Sequence, residues 1–218
     1  MRFCDFVETN PRVILPPEGS VPFVSMEQVT PGNRWVRSSS RRIVRGSGSK
    51  FNPGDTLFAR ITPSLENGKI AQYAGEAPAM GSTEFIVLRA REGVADPGFV
   101  YYFSQTRDFR RTAERSMSGA SGRQRVSVSA LNEYECSFPL LESQREIAAI
   151  LSAYDELIEN TIQRIRVTEA MVHEIFGEWF VDHRFPGHEE SDSQKLRRGG
   201  VLPNGWSMKP MSDCVTVN

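Results

Sequence analysis

The 218-residue sequence lacks any apolar run of the roughly 18 residues that a membrane-spanning helix needs. Its N-terminus lacks the basic start and apolar stretch of a signal peptide. Cysteine is scarce, and Cys4, Cys136 and Cys214 are too widely separated to form a disulfide framework or a paired zinc-ligand motif. We therefore expect a cytoplasmic protein with reduced cysteines and no membrane segment.

Net charge is also nearly absent. The chain has 26 Lys plus Arg against 27 Asp plus Glu, whereas a nucleic-acid-binding protein usually carries a positive excess. The average conceals a separation along the chain, because residues 34–60 and 107–125 are rich in arginine and Asp55 is the only acidic residue of the first segment. Residues 142–180 contain eight Glu and Asp against three Arg. The sequence therefore predicts a basic body followed by an acidic arm.

The body, residues 1–141, consists of short alternating segments separated by Gly, Pro, Asn and Asp. This pattern predicts an α+β fold with a mixed-sheet domain. Within 56–61, alternation places Leu57 and Ala59 on one face and Arg60 on the other, outside the core. The predicted elements are strands at 21–26, 43–45, 56–61, 70–74, 84–89 and 134–141, a helix that starts near Pro97 and buries Phe99, Tyr102 and Phe103, and a helix at 108–116.

A long helix is predicted after the body. Ser143 and Glu146 have the spacing of a capping box, in which each side chain bonds the backbone amide of the other, so we expect the helix to start at Ser143 or close to it. Apolar residues then recur at intervals of four and three over about five heptads, as in a coiled coil. A helix over 143–180 would be about 55 Å long, too long for the body to cover, so it requires a helix-pairing partner. The predicted seam consists of Ile147, Leu151, Tyr154, Ile158, Thr161, Ile165, Thr168, Val172, Ile175 and Trp179.

Two threonines interrupt this seam. Thr161 and Thr168 either fix the register and the choice of partner, as polar seam positions do, or pack through their methyl groups without such a role. Beyond the arm, residues 182–201 are polar and end in two glycines, which predicts a linker. Residues 211–218 then match residues 3–10 at Asp, Val and Asn, which predicts that a second repeat begins near the end of the chain.

No set of residues has the arrangement of a catalytic site. Residues 46–50 lack the spacing of a P-loop. Asp155 and Glu156 resemble the acidic pair of an ATPase, but the helical pattern places both on the exposed side of the arm. His183 and His188 lie in the predicted linker without further metal ligands. We therefore predict no catalytic residue, metal site or cofactor site in this chain.

The basic residues of the body are candidates for DNA binding. Arginine and lysine neutralise phosphates, and the forked side chains of arginine and glutamine match guanine and adenine edges. The segment 122–125 combines these side chains with a glycine that permits close approach of the backbone. The alternative is that these residues are solubilising surface charges. The predicted DNA-binding residues are Arg37, Arg41, Arg42, Arg45, Lys50, Arg60, Lys69, Arg123, Gln124 and Arg125.

Several segments are similar to a known family. Residues 54–69 (GDTLFARITPSLENGK), 82–85 (STEF) and 117–126 (MSGASGRQRV) resemble the target recognition domain of the DNA specificity subunits of type I restriction-modification systems. Residues 139–147 (PLLESQREI) resemble the entry to the long conserved helix of that family, and 202–206 resemble the usual opening of a recognition domain. The resemblance covers essentially the whole chain.

The resemblance implies a domain order and a set of partners. It implies a non-catalytic subunit that reads one half of a split sequence in double-stranded DNA. Methyltransferase (modification) subunits and a restriction endonuclease/translocase subunit would supply the chemistry, and they would use S-adenosylmethionine, ATP and Mg²⁺. The regions implied are a target recognition domain (1–141), a conserved spacer helix (142–181), a linker (182–201) and a truncated second recognition domain (202–218).

Three functional hypotheses follow. The first is a DNA specificity subunit, or a truncated half of one. In the second, two copies pair through their long helices as a homodimer and recognise an interrupted palindrome. In the third, the chain is a protein-interaction module that sequesters methyltransferase subunits through its helix without binding DNA itself.

Overall fold

The computed structural model describes residues 1–16, 18–44, 47–120, 122–187, 193–195, 201–203 and 205–214. The chain divides into two compact units, residues 1–159 and residues 160–218. The first unit combines β-sheets with α-helices, which confirms the predicted α+β class.

The first unit contains short strands followed by helices. Its helices are α1 (Pro97–Ser104), α2 (Arg107–Arg115), α3 (Val128–Asn132) and residues 141–159 of α4 (Leu141–Phe176). Its strands are β1 (Val7–Thr9), β2 (Ser20–Val24), β3 (Trp35–Val36), β4 (Ser40–Ile43), β5 (Ser49–Phe51), β6 (Thr56–Ala59), β7 (Ile70–Tyr73), β8 (Ala79–Gly81) and β9 (Phe85–Ala90).

The strands form two mixed sheets. The larger sheet has the order β1-β9-β6-β7-β3, and the smaller has the order β4-β2-β8-β5. The pairs β3/β7 and β2/β8 are parallel, and the other neighbouring strands of these two sheets are antiparallel. The predicted mixed sheet is therefore present, but it is split into two layers.

Three apolar clusters hold these layers together. Helices α1, α2 and α3 cover one face of the larger sheet, where the rings of Phe58 and Phe109 lie 5.8 Å apart. The other face packs against the smaller sheet, with Leu57 and Phe51 in one cluster. Val13 belongs to the segment that covers the outer face of the smaller sheet. Because the larger sheet is covered on both faces, β6 is buried at every position rather than at alternate ones.

The predicted strand at 134–141 is wrong. Within this segment Glu135 forms a single bridge with Arg2. The ring of Phe138 stacks 4.2 Å from that of Phe6, so the segment enters the aromatic core as irregular chain. Its side chains do alternate, with Tyr134, Cys136 and Phe138 toward the core and Glu135 and Ser137 exposed. Backbone pairing is limited to the bridge at Arg2, because the chain turns into a 3₁₀ helix at Phe3, so no regular strand forms.

Two further predictions, for α1 and for the strand at 43–45, differ in detail from the structure. Helix α1 starts at Pro97 as predicted, but its fully buried aromatic residue is Tyr101, whereas Phe99, Tyr102 and Phe103 are only partly buried against the core. The strand predicted at 43–45 instead covers Ser40–Ile43 as β4. Arg45, predicted to bind DNA, lies outside the described residues.

The predicted capping box at the start of the long helix is wrong, because α4 begins at Leu141 and Ser143 lies within its first turn. Gln144 is buried and anchors this turn to the body. Its Oε1 accepts a hydrogen bond from the backbone amide of Asp96 at 3.0 Å, and its Nε2 donates to the carbonyl of Pro139 at 2.8 Å. The start of α4 is therefore fixed to the body by the Gln144 side chain rather than by the predicted local cap.

Arg34, at the edge of the larger sheet, attaches the next turns of α4 to the body. Its Nε and Nη2 donate to Gln72 Oε1 at 3.0 and 2.8 Å. Its Nη1 donates to the Tyr102 hydroxyl at 3.0 Å and to the hydroxyl of Ser152 on α4. Tyr102 in turn donates to Asp155 Oδ2 at 2.5 Å. The prediction that Asp155 lies on the exposed side of the arm is therefore wrong, since it contacts the body.

The second unit begins within α4, which continues as a π-helical turn at Gly177–Val181. In this unit β10 (Ser193–Lys195) pairs with β11 (Val201–Pro203) in an antiparallel arrangement. The predicted linker thus includes a strand, while its residues 188–192 and 196–200, His188 among them, lie outside the described part of the chain.

The predicted second repeat has a structural parallel in its first residues. Met211–Asp213 forms a 3₁₀ turn, and so does Phe3–Asp5 at the matching position of the first unit. The next residue has φ −108° and ψ −25° at Cys214, and φ −106° and ψ −28° at Phe6. Residues 215–218 of the predicted repeat lie outside the described residues.

Candidate nucleic-acid interface

A cleft of about 580 Å³ lies beside the smaller sheet and carries basic residues at its walls. Arg12, Lys50 and Arg60 line it, and we call it the basic cleft. The remaining lining is largely apolar and includes Val13, Ile14, Leu15, Phe85 and Val87. Three cationic side chains at one cleft can neutralise phosphates of a nucleic acid.

Asn10 directs the chain over the sheet to form one wall of this cleft. It has a positive φ of 51°, a conformation that asparagine tolerates better than most residues. Its amide donates to the Val87 carbonyl at 2.7 Å, and its Oδ1 accepts from the Val87 amide at 3.0 Å. The following residues place Arg12 at the cleft, although this arginine was not among the predicted DNA-binding residues. A lone cation before the apolar run 13–15 was the available sequence signal.

The register of the smaller sheet separates the predicted basic residues. Ser40 pairs with Phe23, Phe23 with Met80, and Met80 with Lys50, so these residues share one face. Arg42 also lies on this face, with its guanidinium carbon 3.6 Å from the centroid of the Phe23 ring. The face is the one that borders the basic cleft.

Arg41 projects from the opposite face of β4. Its Nε donates to the Ser20 hydroxyl at 3.0 Å and its Nη2 to the Ser20 carbonyl at 2.5 Å. Together with Arg37 and Tyr73 it lines a separate pocket of about 680 Å³. The predicted group of basic residues is thus divided between two surfaces, because neighbouring residues of a strand point in opposite directions.

The predicted recognition loop, residues 117–126, lies next to Arg60. Ser118 and Arg125 exchange two backbone hydrogen bonds of 3.1 and 2.9 Å, which close the loop. The loop is joined to the sheet because the Val126 amide donates to the Arg60 carbonyl at 2.8 Å. Between these anchors, Arg123 is exposed and Gln124 is half-buried. The structure therefore brings the predicted base-reading loop and the basic cleft together.

Glu84 lies between these two elements, and sequence reasoning did not select it. Its carboxylate accepts hydrogen bonds from Arg125 Nε at 2.9 and 3.1 Å and from Arg125 Nη2 at 2.7 Å. Arg60 Nε is 4.0 Å from its Oε2. The hydrogen bonds from Arg125 hold the pKa of the Glu84 carboxyl below its ordinary value. The STEF segment was the signal that could have pointed to this residue.

Lys69, another predicted DNA-binding residue, has a structural contact. Its ammonium group donates to the Met26 carbonyl at 2.8 Å, and the residue is half-buried. This bond joins the turn before β7 to the segment after β2. Lys69 therefore lies apart from the residues that line the basic cleft.

The predicted helix seam is exposed in both units. In the first unit, Ile147, Leu151, Tyr154 and Ile158 are between 38 and 64 % exposed, and in the second, Ile165, Val172, Ile175 and Trp179 are between 39 and 60 % exposed. The hydroxyl of Thr168 donates to the Arg164 carbonyl of its own helix at 2.8 Å. Such a row of exposed apolar residues is typical of a helix that binds another protein surface.

Among the residues that the structure describes, no group of three or more His, Cys, Asp and Glu side chains could hold a metal ion. Within the same residues, no helix is long and apolar enough to cross a membrane.

Comparison with known proteins gives a consistent assignment. The family model for the type I restriction modification DNA specificity domain matches residues 14–168. The MjaIX specificity subunit of a type I restriction enzyme from Methanocaldococcus jannaschii is 26 % identical over 186 residues, which is 85 % of this chain and 41 % of that protein. The EcoAI specificity subunit from Escherichia coli is 23 % identical over 180 residues, or 78 % of this chain and 31 % of that protein.

Solved structures share the fold. The HsdS subunit from Thermoanaerobacter tengcongensis superposes with a TM-score of 0.59 at 19 % identity, over 82 % of this chain and 46 % of its own. The type I restriction-modification S subunit from M. genitalium gives a TM-score of 0.54 at 18 % identity, over 83 % of this chain and 45 % of its own. This chain therefore spans less than half the length of each of these relatives.

Proposed function

Because the chain belongs to the family of the type I restriction modification DNA specificity domain, we propose that its first unit binds double-stranded DNA through the basic cleft and recognises one half of a split target sequence. One observation carries this proposal. The fold brings Arg12, Lys50 and Arg60 together at one cleft and places the 117–126 loop beside it, although these residues are far apart in sequence.

Different residues serve affinity and sequence preference in this proposal. Arg12, Arg42 and Lys50 neutralise phosphates along the cleft, which positions the duplex without reading its sequence. Arg123 and Gln124 extend from the loop to base edges in the major groove, where their forks match guanine and adenine. The exposed Ile14 at the cleft offers an apolar contact for a sugar or a thymine methyl group.

The long helix provides the second part of the proposed function. Its exposed seam binds the methyltransferase subunits of a restriction-modification complex, which carry the methyl donor S-adenosylmethionine. A restriction endonuclease/translocase subunit, using ATP and Mg²⁺, joins the same complex. This chain binds no cofactor and performs no chemical step of its own; it gives the complex its DNA sequence preference.

Selection of bound duplexes from a random pool tests the proposed function. The full chain, alone and with the methyltransferase subunit encoded beside it, is incubated with the pool and bound DNA is sequenced. We expect one enriched half-site motif, and we expect the logarithm of the association constant to fall linearly with the logarithm of salt concentration. Equal binding of every sequence by both preparations would refute the recognition function.

Arg42 and Arg41 form a matched pair for locating the DNA-binding face. We expect Arg42→Ala to weaken binding to all duplexes roughly fivefold and to lower the salt slope by about 1, because one phosphate contact is lost. Arg41→Ala, a change of the same charge on the opposite face of β4, should leave both quantities unchanged. Fluorescence anisotropy titrations at several salt concentrations measure them. The reverse pattern would place the DNA on the other face.

Arg123 is expected to determine preference rather than affinity. Replacing it by alanine removes one bidentate contact with a base edge, so discrimination at a single base pair should fall by about ten- to a hundredfold. Competition titrations with duplexes altered at each position of the selected motif measure this change. Arg42→Ala is the control, since it should lower affinity while keeping the motif. An unchanged motif in Arg123→Ala would remove Arg123 from the readout.

The exposed seam also favours a second candidate. Two copies pairing through this seam form a homodimer with two cleft-bearing units, and an interrupted palindrome is the target that such symmetry selects. Sedimentation distinguishes this arrangement, because a chain that remains monomeric with and without the methyltransferase subunit does not form it. A complex that copurifies with methyltransferase but shifts no DNA would instead support the protein-interaction module that sequesters methyltransferase.

A further inference from the structure

We propose that Glu84 is a positioning residue for base recognition: it holds the guanidinium of Arg125 so that the free end of that side chain reads a guanine edge. The inference rests on the proposed DNA-binding function. It adds Glu84 to the residues that determine sequence preference and names a guanine edge as the group that Arg125 contacts. Arg125 makes the base contact, and Glu84 acts through Arg125 without touching the DNA.

The hydrogen bonds use one edge of the guanidinium and leave another available. Glu84 accepts from Nε and Nη2, which together form the side edge of the Arg125 guanidinium. In the part of the chain that the structure describes, Nη1 and the second proton of Nη2 make no hydrogen bond. The end edge formed by these two nitrogens is the fork that matches O6 and N7 of guanine.

Both ends of the Arg125 side chain are fixed before DNA binds. The backbone of Arg125 is held by its two hydrogen bonds with Ser118. The guanidinium is held by Glu84, whose own backbone carbonyl accepts from the Arg60 amide at 2.9 Å and whose amide donates to the Ser82 hydroxyl at 3.2 Å. A side chain held in one orientation loses less conformational entropy when it binds its target. Arg125 is nevertheless 44 % exposed and accessible to a base edge.

The charge of Glu84 adds a second effect. The carboxylate is ionised at neutral pH, since Arg125 lowers its pKa and Arg60 lies close to it. It therefore neutralises Arg125 and weakens the attraction of this side chain for phosphates, which are the same in every sequence. A guanine edge presents two neutral acceptors and still pairs well with the fork. Glu84 thus favours base contact over phosphate contact, which raises sequence preference.

Replacing Glu84 by glutamine tests both effects. The amide cannot accept both sets of hydrogen bonds, so Arg125 is released and its charge is uncovered. We expect discrimination at one G·C position of the selected motif to fall about tenfold. We also expect binding to unrelated DNA to rise about two- to fivefold, with a salt slope steeper by up to roughly 0.9. Glu178→Gln is the matched control, because Glu178 makes the same kind of bidentate pair with Arg184 in the second unit.

Arg125→Lys identifies the base pair concerned and does not depend on the folding of the Glu84 variant. Lysine keeps the charge but lacks the fork, so we expect it to relax the same G·C position as Glu84→Gln. In the double variant the two effects should not add, because both act on one contact. Thermal unfolding of each variant shows that the fold is retained.

Specific results overturn the proposal. It fails if Glu84→Gln relaxes a different position from Arg125→Lys, or if it lowers affinity for all sequences without changing the motif. It also fails if the motif in Arg125→Lys is the same as in the wild type. Loss of the proposed DNA-binding function looks different, because the wild-type chain itself would then select no motif.

Discussion

Replacement of Arg34 by methionine is expected to lower the free energy of unfolding of the first unit by about 3 kcal/mol. Arg34 is only 7 % exposed, and its guanidinium bonds Gln72, Tyr102 and Ser152. Methionine fills part of the volume but donates no hydrogen bond. The buried Gln72 Oε1 therefore loses the hydrogen bonds that Arg34 donates to it. Urea unfolding followed by circular dichroism measures the change.

The Arg34 contacts also determine how the first turns of α4 attach to the body. The guanidinium lies 4.2 Å from the centroid of the Trp35 ring and 5.0 Å from that of Tyr102. Cation–π interactions with these rings therefore stabilise its charge. Through the Tyr102 hydroxyl, the network reaches Asp155 on the helix. We expect amides in 148–156 to exchange hydrogen faster in Arg34→Met, because local opening becomes easier when this contact is lost.

Two variants serve as controls for Arg34. Arg37→Met removes the same charge from an exposed position and should change stability by less than about 0.5 kcal/mol. Arg34→Lys keeps the charge but loses the fork, so its cost should lie between those of the two methionine variants. A cost below about 1 kcal/mol for Arg34→Met would show that water or neighbouring groups replace the guanidinium.

Elements with strong local signals were predictable from the sequence. The turn residues at 52–55 and 66–68 bounded strand β6, and Pro97 marked the start of α1. The failures occurred where tertiary contacts decide the outcome. The start of α4 is anchored by Gln144, whose partners at Val94 and Asp96 are far away in the sequence.

The candidate site was likewise predictable only in part from the sequence. Clusters of arginine indicated a basic surface, but the sequence did not show which face each residue occupies. Arg41 and Arg42 lie on opposite faces because neighbouring residues of a strand alternate. The register between β4 and β2 decides that Arg42 is the one on the face of Phe23. Glu84 is an acidic residue in a basic surface, and its role depends on Arg125, which follows β9, α1 and α2 in the chain. Long-range pairs of this kind require the fold.

The second large effect is expected at the helix seam. Replacing Ile165 by aspartate should lower the affinity for a helix-binding partner at least about a hundredfold, because a carboxylate would be buried in an apolar interface without a partner. In the isolated chain Ile165 is 52 % exposed, so the same change should leave the stability of the chain nearly unaffected. Binding to the methyltransferase subunit, measured by surface plasmon resonance, and self-association, measured by sedimentation, report the effect.

Val167→Asp provides the matched control for this experiment. Val167 is also β-branched and 58 % exposed, but it lies outside the heptad pattern of the seam. If the seam is the binding surface, only Ile165→Asp abolishes assembly, and both variants keep the helical circular dichroism of the wild type. Equal loss of binding in the two variants would mean that the partner surrounds the helix rather than following the seam. Equal retention would mean that assembly uses another surface, and the arm would then lose its proposed role in the complex.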